Sequence, residues 1–197
     1  MLFNYQDILQ KQEDIPADKK EELFTSKYLA SHYQKISSLE TDLMRVPCPE
    51  EFFFLQSDTA FNAFTFIPLV AKLYPIKELH ASTYSISRKV ISALIEMHDK
   101  GQIERVTLLV SDSMIKRNPL TIENLMAMAS SRPNVTVLYA WVHAKVCLLK
   151  THDHHYVIEG SGNWSENAHY EQYTFANSKG LYDFRMKLFT ESKLKKY

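Results

Sequence analysis

The sequence predicts an α/β fold, a mixed sheet flanked by helices with an N-terminal helical extension, and three observations predict it. Apolar runs of strand length alternate with amphipathic helical stretches between residues 52 and 139. Past Trp141 the pattern changes to short consecutive strands closed by a final helix. Before Pro47 the chain has no glycine and spaces its apolar residues as a helix does. Strands alternating with helices make a mostly parallel sheet, and the consecutive strands that follow make it mixed.

Taken in order, residues 1–45 read as an N-terminal helical segment. Pro16 suits a helix first turn, and Leu23, Leu29, Tyr33, Ile36 and Leu39 recur at helix-like intervals with charges between them. Val46-Pro47-Cys48-Pro49 ends that segment, because each proline removes a donor and restricts the residue before it. The second unit, 50–197, starts with an aromatic strand, Phe52-Phe53-Phe54-Leu55. A helix over 61–74, interrupted near Pro68, and a strand over 79–85 follow. The amphipathic helix over 88–100 turns Val90, Leu94 and Ile95 inward. A buried strand spans 106–110, a helix with Thr121 as its cap spans 121–131, and another strand spans 135–139. Strands over 145–149, 156–158 and 171–175 come next without helices between them, and the closing helix is expected over 181–195.

Composition excludes several classes. With 45% hydrophobic residues, 4 Gly and 7 Pro in 197 residues, the chain is neither disordered nor fibrous. The best apolar run, 63–71, is too short to span a membrane. The opening Met1-Leu2-Phe3-Asn4 has no basic or apolar stretch of a signal peptide. Two cysteines, Cys48 and Cys147, exclude a disulfide scaffold and make a reduced, cytoplasmic setting the simplest expectation. Net charge is zero, yet residues 1–51 carry ten acids against six bases while the rest carry 17 bases against 13 acids. A body at +4 can attract a phosphate-bearing ligand without being a dedicated duplex binder.

The chemistry concentrates in two stretches, Trp141-Val142-His143-Ala144-Lys145-Val146-Cys147 and Gly160-Ser161-Gly162-Asn163-Trp164. On an extended chain His143 and Lys145 share one face, with Ala144, Val146 and Leu148 on the other. Ser161 and Asn163 share parity in the same way. An imidazole, an ammonium, a hydroxyl and a carboxamide brought to one spot suit a phosphodiester. Lys145 neutralises the non-bridging oxygens, Ser161 and Asn163 donate hydrogen bonds, and His143 is a nucleophile or proton carrier. The two glycines let the backbone come close to a ligand. Cys147 shares the His143 face and reads as packing. His152-Asp153-His154-His155 reads as an exposed turn rather than a metal site.

These motifs resemble those of the phospholipase D superfamily, His-x-Lys-x4-Asp followed by Gly-Ser-x-Asn. His143-x-Lys145 and Gly160-Ser161-x-Asn163 match, while Lys150 stands where the motif has Asp. The resemblance spans roughly residues 50–190 and is closest to short single-motif, bacterial endonuclease-like members. It implies a phospholipase D-like domain and a catalytic set of His143, Lys145, Ser161, Asn163 and Glu171, the last as the acid supporting the histidine. Lys145, Ser161 and Asn163 would also bind substrate. It further implies a metal-independent, cofactor-free phosphodiester hydrolase that works through a phosphohistidine. A homodimer would bring two histidines to one phosphorus. Nucleic acid is the first expected substrate. A phospholipid-directed phosphodiesterase and a non-catalytic phosphate- or nucleic-acid-binding module stay open, the latter because of Lys150.

Overall fold

The structure, a computed structural model, describes residues 30–36, 43, 45–57, 62–165, 169–190 and 194–196. Among these, nine strands form one sheet: β1 (Ala30–Ile36), β2 (Glu51–Ser57), β3 (Ile76–Thr83), β4 (Ile103–Ser111), β5 (Val135–Ala140), β6 (Val146–Lys150), β7 (His155–Gly160), β8 (Gln172–Asn177) and β9 (Lys195–Lys196). Their spatial order is β1-β2-β8-β7-β6-β3-β4-β5-β9. The helices are α1 (Phe66–Ala71), which follows a 3-10 turn at Ala63–Thr65, α2 (Arg88–Asp99), α3 (Ser113–Arg117), α4 (Pro119–Ser130) and α5 (Lys179–Thr190).

The sheet is mixed. β3, β4 and β5 run parallel, as the alternation with helices requires, and β1 runs parallel to β2. The pairs β2/β8, β8/β7, β7/β6, β6/β3 and β5/β9 are antiparallel. The expectation of a mostly parallel sheet therefore holds for the β3–β5 part and the β1/β2 pair alone. Between β6 and β8 the described residues hold no helix to carry a crossover, and β6 and β7 join as a hairpin.

Three sequence expectations are corrected. Within the helical segment expected over 1–45, residues 30–36 form β1, registered residue for residue on β2 from Ala30–Glu51 to Ile36–Ser57. An unpaired β2 edge would leave a row of open backbone donors and acceptors, and that demand overrides the local helical spacing. Residues 1–29 of that segment lie outside the described residues. Helix α4 begins at Pro119 with Asn118 as its cap, and Thr121 is buried inside it. Proline fits the first helical position because the N–H it lacks has no partner there anyway. Helix α5 is described over Lys179–Thr190, and Lys195, expected inside it, lies instead in the strand Lys195–Lys196 that pairs with β5.

The sheet has two packed faces. Cys147 and Leu149 of β6, Tyr156 and Ile158 of β7, and Tyr173 and Phe175 of β8 point to one side, where α1, α2 and α4 cover them. The alternate residues Val146, Leu148, Val157, Leu109 and Leu138 pack under Tyr182 and Phe189 of α5. Helix α2 shows why such elements form where they do. The Ser87 hydroxyl accepts the Val90 N–H at 3.3 Å, and Val90, Ile91, Leu94 and Met97 then bury one face. No helix among the described residues is long and apolar enough to cross a membrane.

Candidate active site

The C-terminal ends of β2, β3, β4, β5 and β7 and the N-terminal ends of β6 and β8 meet at one end of the sheet, as the strand registers require. In open α/β sheets this end is where ligands bind, because helices and loops diverge there. Every residue that the sequence singled out for chemistry sits at this end.

The backbone around Lys145 is held on both sides. The buried Ser82 hydroxyl on β3 donates to the Ala144 carbonyl at 3.0 Å and accepts the Val146 N–H at 3.3 Å. The Lys145 carbonyl accepts the Gly160 N–H at 3.2 Å. With its main chain fixed, Lys145 directs its ammonium to the His143 ring, 2.9 Å from Nδ1 and 3.4 Å from Nε2. With both ring nitrogens this near, the ammonium lies against the ring face rather than on the axis of either lone pair. His143 is exposed and Lys145 half-buried. Burial pushes the Lys145 pKa below its ordinary 10.5, and the Glu171 carboxylate works against that fall.

Glu171 is placed by β2. The buried Ser57 donates its N–H to the Glu171 carbonyl at 2.8 Å, and its hydroxyl receives the Glu171 N–H at 3.0 Å. Tyr170, the residue before, has a φ of 64° and is 72% exposed. A non-glycine residue in the left-handed region costs backbone energy, and here it turns the chain into Glu171. The Glu171 carboxylate accepts the Ser161 hydroxyl, which in turn receives the Gln172 N–H at 3.1 Å. The acid thus supports the serine and the ammonium, whereas the resemblance assigned it to the histidine.

Asn163 lies on the turn after Gly162, half-buried, with its carboxamide oxygen covered. The next residue, Trp164, anchors that turn: it is 1% exposed, its N–H donates to the Ser85 carbonyl at 3.1 Å, and its ring meets Phe64 edge-on at 5.5 Å. The glycines have a different task from the one expected. A Cβ on Gly160 would run into the Gln172 carbonyl, and one on Gly162 into the Tyr173 hydroxyl. They let β7 and its turn lie against β8, so the close approach is to protein.

Three site neighbours were missed by the sequence reading. Tyr84, just past β3, packs its ring 4.9 Å from that of His143. Arg117, at the end of α3, lays its guanidinium 4.4 Å over the same Tyr84 ring. Ser57 carries the backbone of Glu171. Tyr84 had a readable signal, since it directly follows a strand at the end of the sheet that carries the candidate site; Arg117 had none. A groove of about 720 Å³ adjoins Lys145 on the α5 side, with Phe54, Gln56, Thr174 and the Glu159–Arg185 ion pair in its walls.

Cys147 is in the core, and burial pushes its thiol pKa up. Among the described residues no cluster of three or more His, Cys, Asp or Glu is arranged for a metal ion. His152 pairs with Asp153 on the exposed turn, 2.6 Å apart, at the other end of the sheet.

Lys150 also sits at that far end. It is five residues beyond Lys145, roughly 17 Å at the rise of a strand. Its ammonium donates to Glu78 at 3.1 Å, across the β3/β6 pair, while Arg105 donates to the same oxygen at 2.9 Å from β4. Burial would raise the Glu78 pKa, but the two cations outweigh it and hold the carboxyl below its ordinary 4.5.

No protein-family model matches the chain, and no curated protein matches it. Among solved structures it is similar to polyphosphate kinase from Porphyromonas gingivalis, at 16% identity and a TM-score of 0.53. The likeness covers 70% of this chain and 25% of that one, so the chain spans about a quarter of the kinase's length. At that identity the likeness is one of fold, and the fold is phospholipase D-like α/β.

The Lys150 geometry yields a test. Lys150→Asp sets a carboxylate opposite Glu78 and should destabilise by about 1 kcal/mol, the scale of a cross-strand charge pair. Glu78 has a lowered pKa, so its contribution is present above 4.5 and fades as pH falls through the lowered value. The gap in urea midpoint between wild type and variant should therefore be widest near neutrality and shrink in acid. Turnover of a phosphodiester should stay within tenfold; complete loss would make Lys150 a catalytic group.

Proposed function

We propose that the chain is a metal-independent phosphodiesterase that acts on nucleic acid through a phosphohistidine at His143. The observation that carries this reading is the ammonium of Lys145 set 2.9 Å from His143 Nδ1. A phosphate oxygen is a stronger acceptor than imidazole for that ammonium. An arriving phosphodiester draws Lys145 onto its non-bridging oxygens, which brings the phosphorus beside the exposed ring nitrogens of His143. The kinase whose fold the chain shares is by name a phosphoryl-transfer enzyme, which supports the same class of chemistry.

The His143 nitrogen bonds to phosphorus as the bond to the leaving oxygen breaks, and a protonated imidazole gives that oxygen its proton. Water then attacks phosphorus, loses its proton to the second imidazole, and releases His143. Attack and departure are roughly in line, so the two imidazoles stand on opposite sides of the phosphorus. A two-fold homodimer supplies the second imidazole from the same residue of the other copy. Asn163 donates to the phosphoryl oxygens, Ser161 gives its one hydroxyl proton to Glu171 and so holds that carboxylate in place, and Glu171 keeps Lys145 charged.

His143→Asn removes both nucleophile and acid in such a dimer. Its turnover of plasmid DNA, RNA or an activated diester in EDTA should fall by about three decades, roughly 4 kcal/mol. More than a tenth of the wild-type rate would place the activity elsewhere. Light scattering at micromolar concentration should give a dimer, and a fully active monomer would assign proton delivery to a group of the same chain. Cleavage of phosphatidylcholine in preference to nucleic acid would favour a phospholipid-directed enzyme. Binding without any turnover would favour a binding module.

The pH profile is a separate test. Activity that needs charged Lys145 falls as pH rises through its pKa, which lies below 10.5. Glu171→Gln keeps an acceptor for Ser161 but removes the charge that raises the Lys145 pKa, so the alkaline limb of kcat/KM should move to lower pH. A limb that stays in place would detach Lys145 from the rate.

A further inference from the structure

Beside the catalytic cluster lies an aromatic surface that the chemistry above does not use. The chain has two tryptophans; Trp164 is 1% exposed and Trp141 is 82% exposed. Trp141 is not a scattered surface residue. It lines a cavity of about 530 Å³ with Asp112, Ser113, Ile115, Lys116 and Arg117, within the roughly 300–1,000 Å³ range of small-ligand sites. The cavity is joined to the catalytic cluster by stacked groups. The Arg117 guanidinium lies 4.4 Å over Tyr84, and Tyr84 packs 4.9 Å from His143. Trp141 is also only two residues from His143, at most about 7 Å along an extended chain.

We infer that this cavity holds the nucleotide next to the scissile phosphate, with its base stacked on Trp141. The inference rests on the nucleic-acid reading of the site and names the form of substrate, a single strand. An exposed indole offers a flat apolar face, and every unpaired base presents a matching one. In a duplex those faces are covered by neighbouring bases. Lys116 and Arg117 supply positive charge for the flanking phosphate. Arg117 is oriented for this by donating from Nη2 to the Ser113 hydroxyl at 3.0 Å. Asp112 in the same wall repels a phosphate and accepts from an exocyclic amine, so the base enters the cavity and the phosphate stays at its basic side. Neutral net charge fits the same picture, because stacking adds affinity that does not depend on a highly basic surface.

The test uses the full chain carrying His143→Asn, so that the strand is bound without being cut. Iodide should quench Trp141 in the free protein and leave Trp164 dark to it. Single-stranded DNA and RNA oligonucleotides, in separate arms, should protect Trp141 from iodide, and the better protector identifies the natural strand. A duplex of the same sequence should protect it less. Trp141→Ala should weaken oligonucleotide binding about tenfold, on the scale of one lost base stack, and Trp141→Phe should recover part of it. Iodide that cannot reach Trp141 in the free protein would show the indole covered by a second copy and overturn the inference. So would an oligonucleotide that binds while Trp141 stays open to iodide, or equal affinity in Trp141→Ala. Turnover of bis(4-nitrophenyl) phosphate by the wild type tests the catalytic reading separately, because that substrate has no adjoining base.

Discussion

One row of hydrogen bonds crosses the sheet at the end that carries the candidate site, and the site depends on it. Ser82 grips the main chain on either side of Lys145, the Lys145 carbonyl takes the Gly160 N–H, Ser161 donates its N–H to the Gln172 carbonyl, and Ser57 closes on Glu171. The row ties β3, β6, β7, β8 and β2 together where their pairing ends. Its side-chain members Ser57 and Ser82 are fully buried, so each hydroxyl would cost stability if it lost its partners. The side chains at the solvent end are therefore held by a rigid backbone. For the displacement at phosphorus proposed for this site such rigidity matters, because small errors in position cost large factors in rate.

The same row explains how charge is arranged. Glu171 and Lys145 are close enough for the acid to raise the ammonium's pKa, yet the acid's hydrogen bond goes to Ser161. Lys145 stays available to His143 and to a phosphate. At the opposite end of β6, Lys150 and Arg105 enclose Glu78 and complete a structural ion network on three adjacent strands. The motif position that departs from the phospholipase D pattern thus serves the sheet at a distance from the candidate site.

Much of this was legible in the sequence. The alternation of apolar runs gave β3, α2, β4 and β5 to within a few residues, and the parity of His143, Lys145 and Val146 put the first two at the site and the third in the core. What was not legible depends on neighbours distant in the chain. Residues 30–36 are helix-spaced locally but are recruited by the open edge of β2. Glu171 follows no local rule that points it at Ser161; that pairing is set by Ser57, 114 positions earlier. Arg117 reaches Tyr84 only because β3 and β4 are adjacent and parallel, a fact of the sheet order. Gly160 and Gly162 carried a true signal of close approach, while the partner they approach was visible only in three dimensions.

The central claim is that His143 becomes bonded to phosphorus. A rapid denaturing quench at alkaline pH, where a phosphorus–nitrogen bond survives, followed by mass spectrometry of the His143 peptide, tests it most directly. A substrate fragment joined through phosphorus to the imidazole should form within one turnover and be missing in His143→Asn. Steady turnover with no adduct on His143, or with the adduct on another residue, would contradict it.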